Sequence, residues 1–164
     1  MPCALNASGR APFAVFKSAN MSLGINMMVE LAKQATRILY PEFDIEIVEA
    51  HHNRKLDAPS GTAMMIASAI DQEIPDNIEY VYDRHSVNKA RSKNEIGISS
   101  IRGGNIVGEH SAMFISDEEI LTISHSAQTR DVFAKGALTA AKFMCGKEKG
   151  YFTMSDVIAQ YIEK

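Results

Sequence analysis

The sequence predicts an α/β (α+β) fold, with a mixed or antiparallel sheet of four or five strands covered by helices. Two observations predict it. Short runs rich in β-branched residues recur at 43–48, 78–82, 96–101, 106–115 and 120–126. Around them lie segments with apolar residues at helical spacing, and these do not alternate strictly with the strands, as a doubly wound sheet would require.

In chain order, residues 14–16 form a short apolar run that reads as one strand. From Ser22, apolar residues fall at Leu23, Ile25, Met28, Leu31, Ala32, Ala35, Ile38 and Leu39, which predicts a helix capped by Ser22 and stopped at Pro41. The strand at 43–48 delivers the chain into His51-His52. After a loop over 53–60, Ala63, Ile66, Ala67 and Ile70 mark the buried face of a second helix that ends before Pro75. A short strand at 78–82 leads into a polar loop over 83–95. The last three strands have tight breaks at 103–105 and 116–119, which predicts antiparallel neighbours. Helices at 131–144 and 155–162, separated by a polar turn over 146–150, close the chain.

Composition narrows the function. The 164 residues suffice for one compact domain and an appendage. A 46% hydrophobic content with no Trp and nine Met predicts an aliphatic core. A net charge of -3 provides no global basic field, so no nucleic-acid partner is predicted. The cations Arg84, Lys89, Arg91 and Lys93, with His85, read as a solvated loop. No stretch approaches the roughly 20 apolar residues that span a bilayer, and the N-terminus lacks a secretory pattern, so no membrane partner is predicted. Cys3 and Cys145 have no paired spacing and read as reduced thiols of a cytoplasmic protein.

Chemistry concentrates in Glu49-Ala50-His51-His52-Asn53-Arg54-Lys55-Leu56-Asp57-Ala58-Pro59-Ser60-Gly61-Thr62. This stretch runs from a strand end through a basic loop into a helix start, where ligands of α/β proteins gather. At Ser60-Gly61-Thr62 the first helical N–H groups lack intrahelical partners, Gly61 permits close approach, and the two hydroxyls add donors, which suits a carboxylate. His51 and His52 point to opposite faces of an extended chain, so one can face a cleft and exchange protons near neutral pH. Lys55 can swing to the same cleft, to neutralise a dianion and donate a proton.

His51, His52, His110 and His125 with Glu49 or Glu109 also suggest a metal hydrolase. Adjacent strand histidines are poor ligands for one metal, and neither an H-E-x-x-H motif nor a Cys pair is present, so no metal is predicted. Gly103-Gly104-x-x-x-Gly108 lies between strands and reads as turn chemistry, not as a nucleotide loop.

Glu49-Ala50-His51-His52 followed by the run from Lys55 through Ala63 closely resembles the signature of the 4-hydroxy-tetrahydrodipicolinate (dihydrodipicolinate) reductase family. The segment from Ser18 through Asn26 resembles that family's interdomain segment. Gly104 through His110 resembles its central hairpin region, and Ser124 through Ala127 with Arg130, Phe133, Gly136 and Ala137 its return crossing. The resemblance implies NADH- or NADPH-dependent reduction of a cyclic dicarboxylate on the route to diaminopimelate and lysine. It implies a catalytic acid/base at His51, a proton donor at Lys55, substrate contacts at His52, Ser60, Gly61 and Thr62, and cofactor contacts at Ser18, Ala19, Asn20 and Met21. It also implies a homotetramer.

Residues 1–21 then read as a remnant of the Rossmann-type nucleotide-binding domain and its linker. Residues 22–130 read as the substrate-binding and oligomerisation domain, and 131–164 as helices that return to the nucleotide-binding domain. The family's Gly-rich phosphate loop does not occur in this sequence. The chain is therefore expected to bind substrate with most of the cofactor site missing, to be weakly active or inactive alone, and to expose apolar residues such as Val132, Phe133, Leu138 and Phe143. The alternative expectation is a non-catalytic dicarboxylate-binding and oligomerisation module.

Overall fold

A computed structural model describes residues 13–86 and 88–162. Cys3 and the first twelve positions of the expected remnant lie outside the described residues. Two compact units divide within one helix, between Met27 and Met28, and again between Thr129 and Arg130.

The larger unit, from Met28 to Thr129, carries a five-stranded sheet. Its elements are the later part of α1 (Leu23–Leu39), β2 (Asp44–His51), α2 (Gly61–Asp71), β3 (Glu79–Val81), β4 (Glu95–Arg102), β5 (Glu109–Ile115) and β6 (Ile120–Ser126). The strand order is β3-β4-β2-β5-β6, with β2, β3 and β4 parallel and β5 and β6 antiparallel. The sheet is mixed, as its sequence suggests, but β4 and β5 are not neighbours. The six residues 103–108 step over the end of β2 instead of closing a hairpin. Gly103 N–H donates to His51 O and Asn53 N–H to Gly104 O, and Gly104 takes a positive φ of 47° to make the turn. β2 thereby satisfies both of its backbone edges, as a central strand must.

Alternation along β2 builds the core. Ile45 and Ile47 face α1 and α2, packing with Ile66, Ile70, Ile96, Ile98 and Phe114, all within 2% of full burial. The buried positions of α2 are Ala63, Ile66, Ala67 and Ile70, the set its periodicity predicts. Glu49 and His51 continue the same face beyond the hydrophobic layer. The opposite face carries Glu46 on β2 and Ile101 and Ile120 on β4 and β6, which are 52% and 59% exposed. The loop over 83–95 is largely exposed, as its composition suggests, but two of its cations are ion-paired. Arg84 bridges Glu46 and the buried Glu95, and Arg91 bonds Glu46 and the carbonyl of Glu95.

The smaller unit holds β1 (Ala14–Phe16), the start of α1, α3 (Asp131–Met144), β7 (Gly150–Phe152) and α4 (Met154–Ile162). β7, which begins at the last residue of the expected turn over 146–150 and was not expected as a strand, pairs in parallel with β1. Three residues of Gly-Tyr-Phe carry too little periodicity to be read as a strand without the partner. Ala140, Met154 and Val157 form the core here, with Phe143 packed against them. Of the residues expected at the surface of α3, Phe133 and Leu138 are exposed. Ser22 caps α1, accepting from Ile25 N–H.

Candidate active site

The site grows from the end of β2. Alternation places Glu49 and His51 on the same face, and both flanking strands end beside them: Arg102 of β4 pairs with His51, and His110 of β5 pairs with Glu49. Glu49 is fully buried. Its Oε2 accepts from Arg102 Nη1 at 2.9 Å and its Oε1 from Arg102 Nη2 at 2.7 Å, a two-pronged pair. Oε1 also accepts from Ser60 N–H at 3.1 Å, and Oε2 lies 2.6 Å from His51 Nδ1. Burial pushes this carboxyl up, but the bonds from Arg102, Ser100, His51 and Ser60 outweigh it and hold it at about 2.

The His51 ring meets His110 edge to face, with centroids 5.2 Å apart. A Cβ at Gly108 would lie 3.1 Å from His51 Nε2 and 3.8 Å from His110 Cε1, so glycine there leaves room for the His51 ring. His110 Nε2 is 3.2 Å from Ser60 Oγ, and that hydroxyl accepts from Ala63 N–H at 3.2 Å as the N-cap of α2. The Ser60 side chain is thus engaged inside the molecule. Among the expected substrate-binding residues, it serves as the cap, while Gly61 and Thr62 form the helix opening. The space beyond Gly61 is open, and no acidic residue in the first turn of α2 offsets the positive end of the helix.

The loop between β2 and α2 is held at several points. Lys55 N–H donates to His52 O, Lys55 Nζ meets Asp57 Oδ1 at 2.8 Å, and Arg102 Nη2 donates to Asp57 O at 2.7 Å. Lys55 holds the Asp57 carboxyl below its ordinary value. The charges of His51, Glu49, His125 and Lys55 all act on His110, so these groups share one electrostatic neighbourhood. Burial, then the His51 charge, pushes His110 down to about 4, and burial also lowers His125. His52 follows the last residue of β2 and is half-buried.

Ser18, Ala19, Asn20 and Met21 lie in the smaller unit. Ser18 Oγ donates to Asn20 O at 2.6 Å, Asn20 Oδ1 accepts from Ser22 N–H, and Asn26 returns to Asn20 O. These bonds shape the start of α1, and Ala19 is exposed. Among the described residues, no three His, Cys, Asp or Glu side chains are arranged to hold a metal ion, and no helix is long and apolar enough to cross a membrane.

Sequence reasoning singled out His51, Lys55 and Gly61, which share a local motif. It passed over the roles of Glu49, Arg102 and His110. The strand register alone brings the last two to the site, so a correct strand order would have found them.

Fold and site together define an α/β domain in which a buried carboxylate links an imidazole at a strand end to the start of a helix. The sequence model for "Dihydrodipicolinate reductase, C-terminus" matches residues 24–158. The chain is 57% identical over 144 residues to 4-hydroxy-tetrahydrodipicolinate reductase of Caldanaerobacter subterraneus subsp. tengcongensis, covering 88% of this chain and 57% of that protein. It is 51% identical over 140 residues to the reductase of the same name from Clostridium tetani, covering 85% of this chain and 54% of that one. In three dimensions it resembles a dipicolinate-bound dihydrodipicolinate reductase from Paenisporosarcina sp. TG-14, with a TM-score of 0.68 and 25% identity over 84% of this chain and 52% of the other. The chain belongs to the dihydrodipicolinate reductase C-terminal domain family, and it spans just over half the length of these relatives.

Proposed function

We propose that this chain is the substrate-binding part of a 4-hydroxy-tetrahydrodipicolinate reductase. On this reading it binds a cyclic dicarboxylate whose reduction with NADH or NADPH serves the diaminopimelate route to lysine in the cytoplasm. One observation carries the reading: His51 is oriented by a buried carboxylate that also holds Ser60 at the start of α2. A ring acid seated with a carboxylate at Gly61 and Thr62 gains charge-assisted bonds of about 1.5–3 kcal/mol each. His52 contacts the same ligand from the loop. Lys55 offsets the second negative charge and delivers the proton that must reach the ring once a neighbouring carbon has been reduced. His51 acts as acid/base beside it.

The nicotinamide cofactor supplies the hydride when bound. The described residues contain no Gly-rich strand–turn–helix cradle for its pyrophosphate, so they do not fit its nucleotide portion. We assign only the border of the nicotinamide to Ser18, Ala19, Asn20 and Met21. That mismatch favours a second reading for the chain alone, a dicarboxylate-binding and oligomerising module. The open sheet face with Ile101 and Ile120 supports a homotetramer.

Calorimetry with pyridine-2,6-dicarboxylate, with and without NADH, tests the proposal. Binding of the dicarboxylate that K55A or T62V weakens about tenfold or more is expected, since each removes a polar contact to an anion. Absence of binding, or binding indifferent to both substitutions, would contradict it. Heat of NADH binding and turnover in the same sample would favour the enzyme over the module.

A further inference from the structure

The geometry points to Glu49 as a positioning residue: it holds the His51 ring by its Nδ1–H, so that Nε2, beside Gly108, is the nitrogen left to exchange a proton, and Arg102 clamps the carboxylate. The proton-transfer half of this inference rests on the proposed function, whereas the assignment of the ring's hydrogen does not.

Every neighbour within hydrogen-bond distance of the Glu49 oxygens, apart from the imidazole, is a donor. Arg102 gives two N–H groups, Ser60 one, and Ser100 its hydroxyl. An ionised carboxylate has only lone pairs to offer, and Glu49 is ionised at any pH well above about 2. The hydrogen in the 2.6 Å contact therefore belongs to His51 Nδ1, and the contact is a short, charge-assisted bond. In the neutral ring Nε2 is then a bare acceptor, and in the charged ring it is a donor with Glu49 as counter-charge. A second-nitrogen bond of this kind fixes which ring nitrogen works in many histidine sites.

The groups facing His51 come from every surrounding element. They are Glu49 on its own strand, Arg102 on β4, and His110 on β5 with His125 behind it on β6, while Lys55, paired with Asp57 on the loop, acts on the neighbouring His110. Glu49 and Arg102 offset each other, as do Lys55 and Asp57, so the ring sits among balanced charges and its orientation is set by the one short bond. The same carboxylate takes Ser60 N–H, which couples the imidazole to the helix start.

Long-range 1H–15N spectra of the labelled full chain, with His51 assigned by the loss of its signals in H51Q, test the inference. The neutral ring is expected to carry its proton on Nδ1, with a low-field, exchange-protected Nδ1–H signal. E49Q keeps the volume but turns an amide N–H2 toward the donors of Arg102 and Ser60. It is expected to lower the Nδ1–H to Nε2–H tautomer ratio about tenfold or more, the equivalent of one charge-assisted bond, and to move the low-field signal upfield. A wild-type ring protonated on Nε2 overturns the inference without any variant. So does an E49Q protein whose other signals are native and whose His51 tautomer is unchanged, the result a purely structural carboxylate would give. If E49Q does not fold, the wild-type tautomer decides. Adding pyridine-2,6-dicarboxylate to the same sample separates the two claims: no binding with the expected tautomer contradicts the proposed function and leaves Glu49 in its role.

Discussion

His110 is 4% exposed, its Nε2 lies against the Ser60 hydroxyl, and its Nδ1 is buried without a hydrogen-bond partner. A protonated ring there would add a charge beside His51 with no carboxylate of its own, which is why burial and the His51 charge push it down to about 4. The consequence for stability has a definite sign. The unfolded chain takes up this proton near 6.5 and the folded chain only near 4, so stability is present above 6.5 and is lost as pH falls toward 4. The shift corresponds to a loss on the order of 3 kcal/mol. Glu49 adds a second, lower window, with stability lost as pH falls from 4.5 toward 2. Urea midpoints measured across pH should decline between 6.5 and 4 in the native chain and decline much less in H110Q. Equal slopes in the two proteins would rule out His110 as the source.

At the scale of elements, α2 has two tasks. Its buried face anchors it to the sheet, and its first turn presents Gly61 and Thr62. Ile66 is completely buried in the core that α2 shares with the sheet, so I66A should cost about 2–5 kcal/mol in urea unfolding. A loss below 1 kcal/mol would mean that the helix is not seated on this core. The face of α2 was legible because an amphipathic helix writes its contacts into its own spacing. Strand order is not local in that way. Residues 103–105 look like a hairpin turn, with a strand from 106, and only the demand of β2 for two neighbours makes the whole of 103–108 a crossing. With that crossing misread, Arg102 and His110 could not be placed beside Glu49 and His51, since Arg102 lies 53 residues beyond Glu49 and His110 lies further still. The ion pairs of Arg84 and Arg91 were missed for the same reason: their partner Glu46 lies on β2, the strand beside β4, and is 38 and 45 positions away in sequence.

At the scale of the whole molecule, the hydrophobic layer of the larger unit stops at Ile47, and the polar cluster begins two residues later at Glu49. The sheet therefore ends in a charged rim onto which the loop and the start of α2 are tied by Arg102 and Glu49. A bound ring acid should be felt at that rim and nowhere else. The most direct measurement is a titration of the labelled chain with pyridine-2,6-dicarboxylate, followed by amide and imidazole shifts. Saturable changes centred on His51, His52, Lys55, Gly61 and Thr62 are the expected result. No saturable change, or changes centred on the 83–95 loop or the 116–119 turn, would contradict the account.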